Sequence, residues 1–255
     1  MRSLFRFRAT AEPVTVEPVQ TPFPVIEGAE IAALFAGNRV GGDFYDAFRV
    51  SPERILFGML DVAGRRTENS GILDKAQTLF RTLGCELFTG DDINESNAMT
   101  EVCLRLNRCI MEAAGGVRSC PAFIGCYHEK FGTLCYTNAG HIPGLVRDAS
   151  GISELRSTGL PLGLFSHATS DAPTIGLAKG AVLLLVSRGV VDSKCKGGRA
   201  DKLEFGLDRV KDHLSQDRSA GAREVCTSIL QSVSEFTCDP LGHDDETALA
   251  FLRKP

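Results

Sequence analysis

Acidic side chains stand at the ends of apolar or glycine-rich runs at three separated places in the chain, and an arginine stands at a fourth. The stretch Val-Gly-Gly-Asp-Phe-Tyr-Asp at 40–46 sets two glycines before Asp43. Glycine permits close backbone approach, and the period-two alternation of a strand puts Asp43 and Tyr45 on one face, Phe44 and Asp46 on the other. Phe-Gly-Met-Leu-Asp-Val-Ala-Gly at 57–64 delivers Asp61 at the end of an apolar strand. Leu-Leu-Leu-Val-Ser-Arg-Gly at 183–189 is a second apolar strand, ending in a turn that carries Arg188. Gly-His-Asp-Asp-Glu-Thr at 242–247 opens the last strand with Asp244 and Asp245. One aspartate at a strand end is commonly a turn former or a helix cap. Several brought together would repel unless neutralised, and hard divalent cations take oxygen ligands. A divalent-metal site and a set of capped turns are therefore both open on residue types alone.

Positioning these groups requires strands, and both periodicities are present. Apolar, β-branched runs at 31–35, 54–60, 122–127, 133–137, 144–146, 181–186 and 247–252 predict strands. Helical spacing of apolar residues predicts helices over 72–87, 99–110 and 222–236. The first two helices follow one another directly between groups of strands, which argues against βαβ alternation. An α+β fold with helices segregated over largely antiparallel sheets is the expectation. The prolines of 11–22 are too dense for a helix or central strand, so 1–22 reads as a flexible N-terminal tail and 23–255 as one domain.

The chain has 255 residues, 43% hydrophobic and 24% charged, with a formal net charge of −4. That is an ordinary globular composition, and near-neutral charge gives no electrostatic reason to expect a nucleic-acid or membrane-surface binder. No apolar run approaches the ~18–20 residues that would cross a bilayer, and the first residues lack the apolar core of a signal peptide, so the expected compartment is the cytoplasm. Nine cysteines include no Cys-x-x-Cys pair, and most sit in apolar runs; reduced, buried thiols are expected rather than a zinc site.

The order and wording of the acidic patches resemble the SpoIIE/RsbU-type branch of the PPM (PP2C-like) protein serine/threonine phosphatases. The matching text is 40–46, Asp-Val-Ala-Gly at 61–64, Leu-Asn-Arg at 106–108 and Thr-Asn-Ala-Gly-His-Ile-Pro at 137–143. It continues with Gly-Leu-Pro-Leu-Gly-Leu-Phe at 159–165, Ser-Arg-Gly-Val-Val-Asp at 187–192, Glu-Phe-Gly-Leu-Asp-Arg-Val at 204–210 and Asp-Asp-Glu-Thr at 244–247. The likeness spans roughly residues 21–255. It implies a four-layer α/β/β/α sandwich of two mainly antiparallel sheets flanked by helices. It also implies two metal ions, Mn²⁺ or Mg²⁺, and a metal-activated water that attacks phosphorus without a covalent enzyme intermediate. Carried over by motif, Asp43 would hold one metal, Asp61 would bridge both with the Val62 carbonyl as a further ligand, and Asp244 with Asp245 beside it would complete the second site. Asn138, His141 and 159–165 would shape the fold and the rim. The implied substrate is a phosphoserine or phosphothreonine on a regulatory protein, such as a STAS-type anti-sigma-factor antagonist. Oligomeric state and input signal stay open.

Two departures from the family pattern bear on activity. Arg188 stands where relatives usually carry a metal-ligating aspartate, and Gly-Arg-Arg-Thr-Glu-Asn-Ser-Gly at 64–71 replaces a short glycine-rich stretch leading into the helix. An active phosphatase with an altered metal complement is the first reading, with Arg188, Arg65 or Arg66 as phosphate holders, since the arginine fork suits phosphate oxygens. A catalytically impaired phosphatase fold that works by binding a phosphoprotein is the alternative, and a metal-free structural module is a third.

Overall fold

The structure is a computed structural model that describes residues 19–20, 22–37, 43–62, 64, 66–90, 92–195, 204–237 and 245–255. In chain order the first half runs β1 (Val19–Gln20), β2 (Ala29–Ala36), β3 (Asp43–Ser51), β4 (Arg54–Asp61), α1 (Arg66–Leu87), α2 (Glu95–Ala114), β5 (Ala122–His128) and β6 (Thr133–Ala139). The second half runs β7 (Gly144–Asp148), β8 (Gly151–Leu155), β9 (Thr174–Gly176), β10 (Val182–Val186), α3 (Arg188–Asp192), α4 (Gly206–Gln216), α5 (Ala222–Thr237) and β11 (Glu246–Arg253). One sheet has the order β1-β2-β11-β10-β7-β8 and the other β3-β4-β5-β6-β9, and every paired strand is antiparallel.

Three apolar layers separate four structural ones. Between the sheets, Phe57 of β4 stacks on Phe251 of β11 with ring centroids 5.7 Å apart, among Ile55, Met59, Leu183 and Leu249. Beneath α1 and α2 lie Leu56, Leu60, Phe80, Leu83, Met99 and Leu106, and beneath α4 and α5 lie Leu184, Val186, Val210, Val225 and Ile229. Both faces of β4 are buried, so its run is continuously apolar, with odd residues facing the second sheet and even ones facing helices. That is the α/β/β/α arrangement, as expected.

Two local differences from the sequence reading have physical causes. Val19 and Gln20, inside the segment read as a tail, pair with Phe35 and Leu34 as a two-residue edge strand. Proline is tolerated beside an edge, and Pro18 precedes the pair without having to donate within it. The stretch read as an altered loop at 64–71 is instead mostly helix, because α1 begins at Arg66. Glu68 lies in its first turn, where a carboxylate meets the positive end of the helix dipole. Strand β3 is tied to α1 by Arg81, whose Nε and Nη2 donate to the buried Asp46 carboxylate at 2.6 and 2.7 Å. α2 is closed by Asn94, which accepts from the Asn97 N–H, and by Gly115 at φ 64. Among the described residues no helix is long and apolar enough to cross a membrane.

Candidate active site

Asp43 opens β3 and Asp61 closes β4, and the antiparallel register sets them directly opposite one another. Residues so opposed have Cα atoms about 4.5–5.5 Å apart. Both belong to the odd-numbered face that looks toward the second sheet, as Tyr45 and Met59 do. The facing sheet ends at the same mouth with Ser187, just past β10, and with Asp245 and Thr247 at the start of β11. Thr247 Oγ1 donates to Asp43 Oδ2 at 2.9 Å, joining the sheets through the site. Ser187 is pinned in turn: its N–H donates to the Thr247 carbonyl at 2.9 Å, and its Oγ accepts from the Thr247 N–H at 3.0 Å and donates to the Asp245 carbonyl at 3.2 Å. Asp245 is buried, and a Cβ added at Gly37, where φ is 128°, would sit 3.1 Å from its Oδ1.

This geometry concentrates negative charge where water is scarce. Burial, then the neighbouring Asp61, push the Asp43 carboxyl up to about 7, while the Thr247 and Ser187 hydroxyls pull it down and Asp245 adds to the rise. Burial and a second carboxylate both disfavour the ionised form, and a positive charge placed between the two would favour it. The donors are hard oxygens, which fit Mg²⁺ or Mn²⁺ and not a soft metal. Among the described residues no group of three or more His, Cys, Asp or Glu is placed to hold a metal ion. Asp244, expected to complete it, and Arg65, expected as a phosphate holder, lie outside the described residues.

Val62 is buried directly after Asp61, and its carbonyl accepts from Asn69 Nδ2 at 3.2 Å. This bond fixes the direction of the carbonyl. Asn69 carried no sequence signal of this role, standing as a polar residue in the early helix. Arg188 is the first residue of α3. Its Nε lies 3.1 Å from Asp192 Oδ2 and its side chain is 73% exposed, so it forms a surface i,i+4 pair and does not reach Asp43. Arg188 thus places no cation beside Asp43.

The other motifs position the rim. Asn107 of α2 is fully buried and clamps the 159–165 loop, donating to the Phe165 carbonyl at 2.8 Å and accepting from the Gly163 N–H at 2.7 Å. Asn138 donates to the Leu155 carbonyl and accepts from the His141 N–H at 2.8 Å. His141 Nδ1 lies 2.9 Å from the Ile142 carbonyl and therefore carries the proton, and burial pulls the imidazole down to about 4. A base whose folded value is depressed contributes stability that is full above its unfolded value near 6.5 and lost as pH falls through about 4. The imidazole carbon-proton signals of His141 should accordingly stay in the neutral position from pH 8 to 5 in NMR titration. Titration near 6.5 would show that the ring is exposed.

Two antiparallel sheets flanked by helices, with carboxylates gathered where the strands of both end, define a PP2C-like fold. The family model described as Stage II sporulation protein E (SpoIIE) matches residues 51–254, and the chain belongs to that family, the SpoIIE/RsbU-type branch of the PPM phosphatases. It is 26% identical over 250 residues to Protein IcfG of Synechocystis sp., covering 90% of this chain and 39% of that protein. It is 23% identical over 195 residues to Phosphoserine phosphatase RsbP of Bacillus subtilis, covering 76% of this chain and 45% of RsbP. The chain thus spans less than half the length of the curated relatives it matches. Among solved structures, the RsbU and RsbW domains of Rv1364c from Mycobacterium tuberculosis superpose with a TM-score of 0.71 at 24% identity, covering 91% of this chain and 62% of that one.

Proposed function

We propose that this chain is a metal-dependent protein serine/threonine phosphatase. Its substrate would be a phosphoserine or phosphothreonine on a regulatory protein, with a STAS-type anti-sigma-factor antagonist as the partner class. The observation that carries the reading is the opposed pair Asp43 and Asp61 at the mouth between the sheets, with the Asp43 carboxyl pushed up to about 7. Asp43 and Asp61 would hold Mn²⁺ or Mg²⁺, with the Val62 carbonyl, Asp244 and Asp245 as the remaining ligands. When bound, such ions supply Lewis-acid polarisation of a phosphoryl oxygen and a water of lowered pKa. The chain's own part is orientation: Thr247 and Ser187 aim the Asp43 carboxylate, Asn69 aims the Val62 carbonyl, and the apolar layer of Met59 and Leu183 keeps the base of the site dry. Hydrolysis would join a water oxygen to phosphorus as the bond to the serine or threonine oxygen breaks, with a proton from that water passing to the leaving oxygen, so that inorganic phosphate and the free hydroxyl result.

The purified protein should release phosphate from a phosphoserine peptide at millimolar Mn²⁺ and stop when a chelator is added. The absence of turnover in folded, Mn²⁺-supplied protein would overturn the enzymatic reading. It would leave the alternative that the fold binds a phosphoprotein without hydrolysing it, which the lost carboxylate at position 188 specifically favours.

A further inference from the structure

Beyond Asp61 the five-stranded sheet is continued by short backbone ladders, and these carry an exposed apolar strip to the rim of the mouth. The Asp61 N–H donates to the Pro121 carbonyl at 2.9 Å, and Cys120 exchanges bonds with Leu162 at 2.8 and 3.0 Å in an antiparallel bridge. Chains so joined lie about 4.8 Å apart, so the 159–165 loop runs two spacings, about 10 Å, from Asp61. The Arg118 N–H reaches the Gly163 carbonyl at 3.0 Å, and the same antiparallel run brings Val117 alongside the 163–165 stretch. Among the described residues five large apolar side chains stand well out of the protein, and three of them are here. Val117 is 70% exposed, Leu160 51% and Phe165 55%, whereas Leu162 between them is buried in the layer beneath α1 and α2. Gathered apolar groups of this kind differ from the single exposed leucines of any surface. The loop is not free to fold them inward, because Cys120, Arg118 and Asn107 hold the backbone of Leu162, Gly163 and Phe165. Across the mouth, just past Ser187, the surface carries the ion pair of Arg188 with Asp192. The rim is thus apolar on one side and charged on the other.

We propose that Val117, Leu160 and Phe165 dock the segment of a phosphoprotein that flanks its phosphorylated serine or threonine, and so select substrates with apolar side chains near that residue. This rests on the phosphatase reading above and deepens it by naming what the substrate must carry. With the phosphorylated side chain at Asp43 and Asp61, the backbone that bears it leaves the mouth across one side of the rim or the other. The apolar side is the one that gains by being covered, since an exposed ion pair contributes little. An extended chain advances about 3.3 Å per residue, so its third residue falls about 10 Å out and its fifth about 17 Å, on a common face. Those two positions meet a strip whose backbone is already ordered, which spares the association an entropic cost.

The test uses three synthetic phosphoserine peptides on the full chain supplied with Mn²⁺. One has leucine at the third and fifth positions before the phosphoserine, one has leucine at the third and fifth positions after it, and one has serine at all four. One leucine peptide should show a kcat/KM about tenfold above the serine peptide, with the difference residing in KM. Leu160→Ser combined with Phe165→Ser should bring that leucine peptide down to the level of the serine peptide. A general defect would lower both alike, so their ratio isolates docking. Both side chains are half-exposed, and Asn107 holds the Phe165 carbonyl and not its ring, so the double variant keeps the contacts that build the loop. Equal kcat/KM for all three peptides, or a preference that survives in the folded double variant, overturns the proposal and leaves the phosphatase reading standing. A wild-type dimer in sedimentation that the double variant abolishes overturns it in favour of a second copy of this chain. If no peptide is turned over, the enzymatic reading falls, and calorimetric binding of the same peptides decides the strip alone. A leucine peptide bound about tenfold more tightly by wild type, and not by the double variant, keeps the assignment; equal binding overturns it.

Discussion

Asp61→Asn should lower phosphate release about a thousandfold or more at saturating substrate, a loss of about 4 kcal/mol of transition-state stabilisation. The substitution keeps the side chain's size and one oxygen, and the Asp61 N–H still donates to the Pro121 carbonyl, so the fold has no reason to fail. What disappears is one of the two opposed charges on which the proposed cation site depends. A second readout follows from the same electrostatics. Asp61 is the largest cause after burial of the raised Asp43 carboxyl. In metal-free Asp61→Asn, Asp43 should therefore titrate below its value near 7, while burial keeps it above an ordinary carboxyl. Full activity in Asp61→Asn, or an unmoved Asp43 titration in ¹³C NMR, would contradict this placement of charge.

Gly163→Ala should destabilise the protein by about 3 kcal/mol or more. Gly163 has φ 77, in the left-handed region where a side chain costs about 1–2 kcal/mol. Its added Cβ would also overlap the Arg118 carbonyl oxygen and lie 2.9 Å from Ile110 Cγ2. Neither neighbour can retreat easily. Arg118 is bonded to Gly163 through its own N–H, and Ile110 is fully buried beneath the loop that Asn107 clamps. For a chain of this length 1 kcal/mol moves the melting temperature by roughly 2–4 °C, so a drop of about 6–12 °C is expected. Gly115→Ala is the matched control, with φ 64 and open space around its Cβ, and should cost only about 1 kcal/mol. Equal losses in the two variants would mean that the 159–165 loop is not locked against Arg118.

The architecture could be read from periodicity because the forces that set it are local and repetitive. β4 is apolar on both faces and so must lie inside, and the stripes of α1, α2 and α5 each need one sheet to cover. α4 was harder to see, since its buried residues Val210 and Leu214 leave a mostly polar helix with too few apolar positions for a stripe. Alternation placed Asp43 with Tyr45 and Asp46 with Phe44, and the structure puts Asp46 on Arg81 while Asp43 faces the second sheet. The partners that complete the site were not legible. Thr247 reaches Asp43 across 204 positions of sequence, and no local spacing encodes such a meeting. Arg188 shows the opposite failure: its position in a motif suggested a role near the carboxylates, yet a short helix supplied Asp192 one turn away and turned the side chain outward. Asn107 and Asn138 belong to motifs whose sense appears only in space, as clamps on segments 17 to 58 residues distant.

Calorimetric titration of chelator-treated protein with Mn²⁺, in parallel with Asp61→Asn, tests the charge convergence at the root of this account. Saturable Mn²⁺ binding to wild type, accompanied by proton release near pH 7 as Asp43 ionises and lost or weakened at least tenfold in the folded variant, is the predicted result. Equal Mn²⁺ binding by the two folded proteins, or none by wild type, would show that the opposed aspartates are not a cation site.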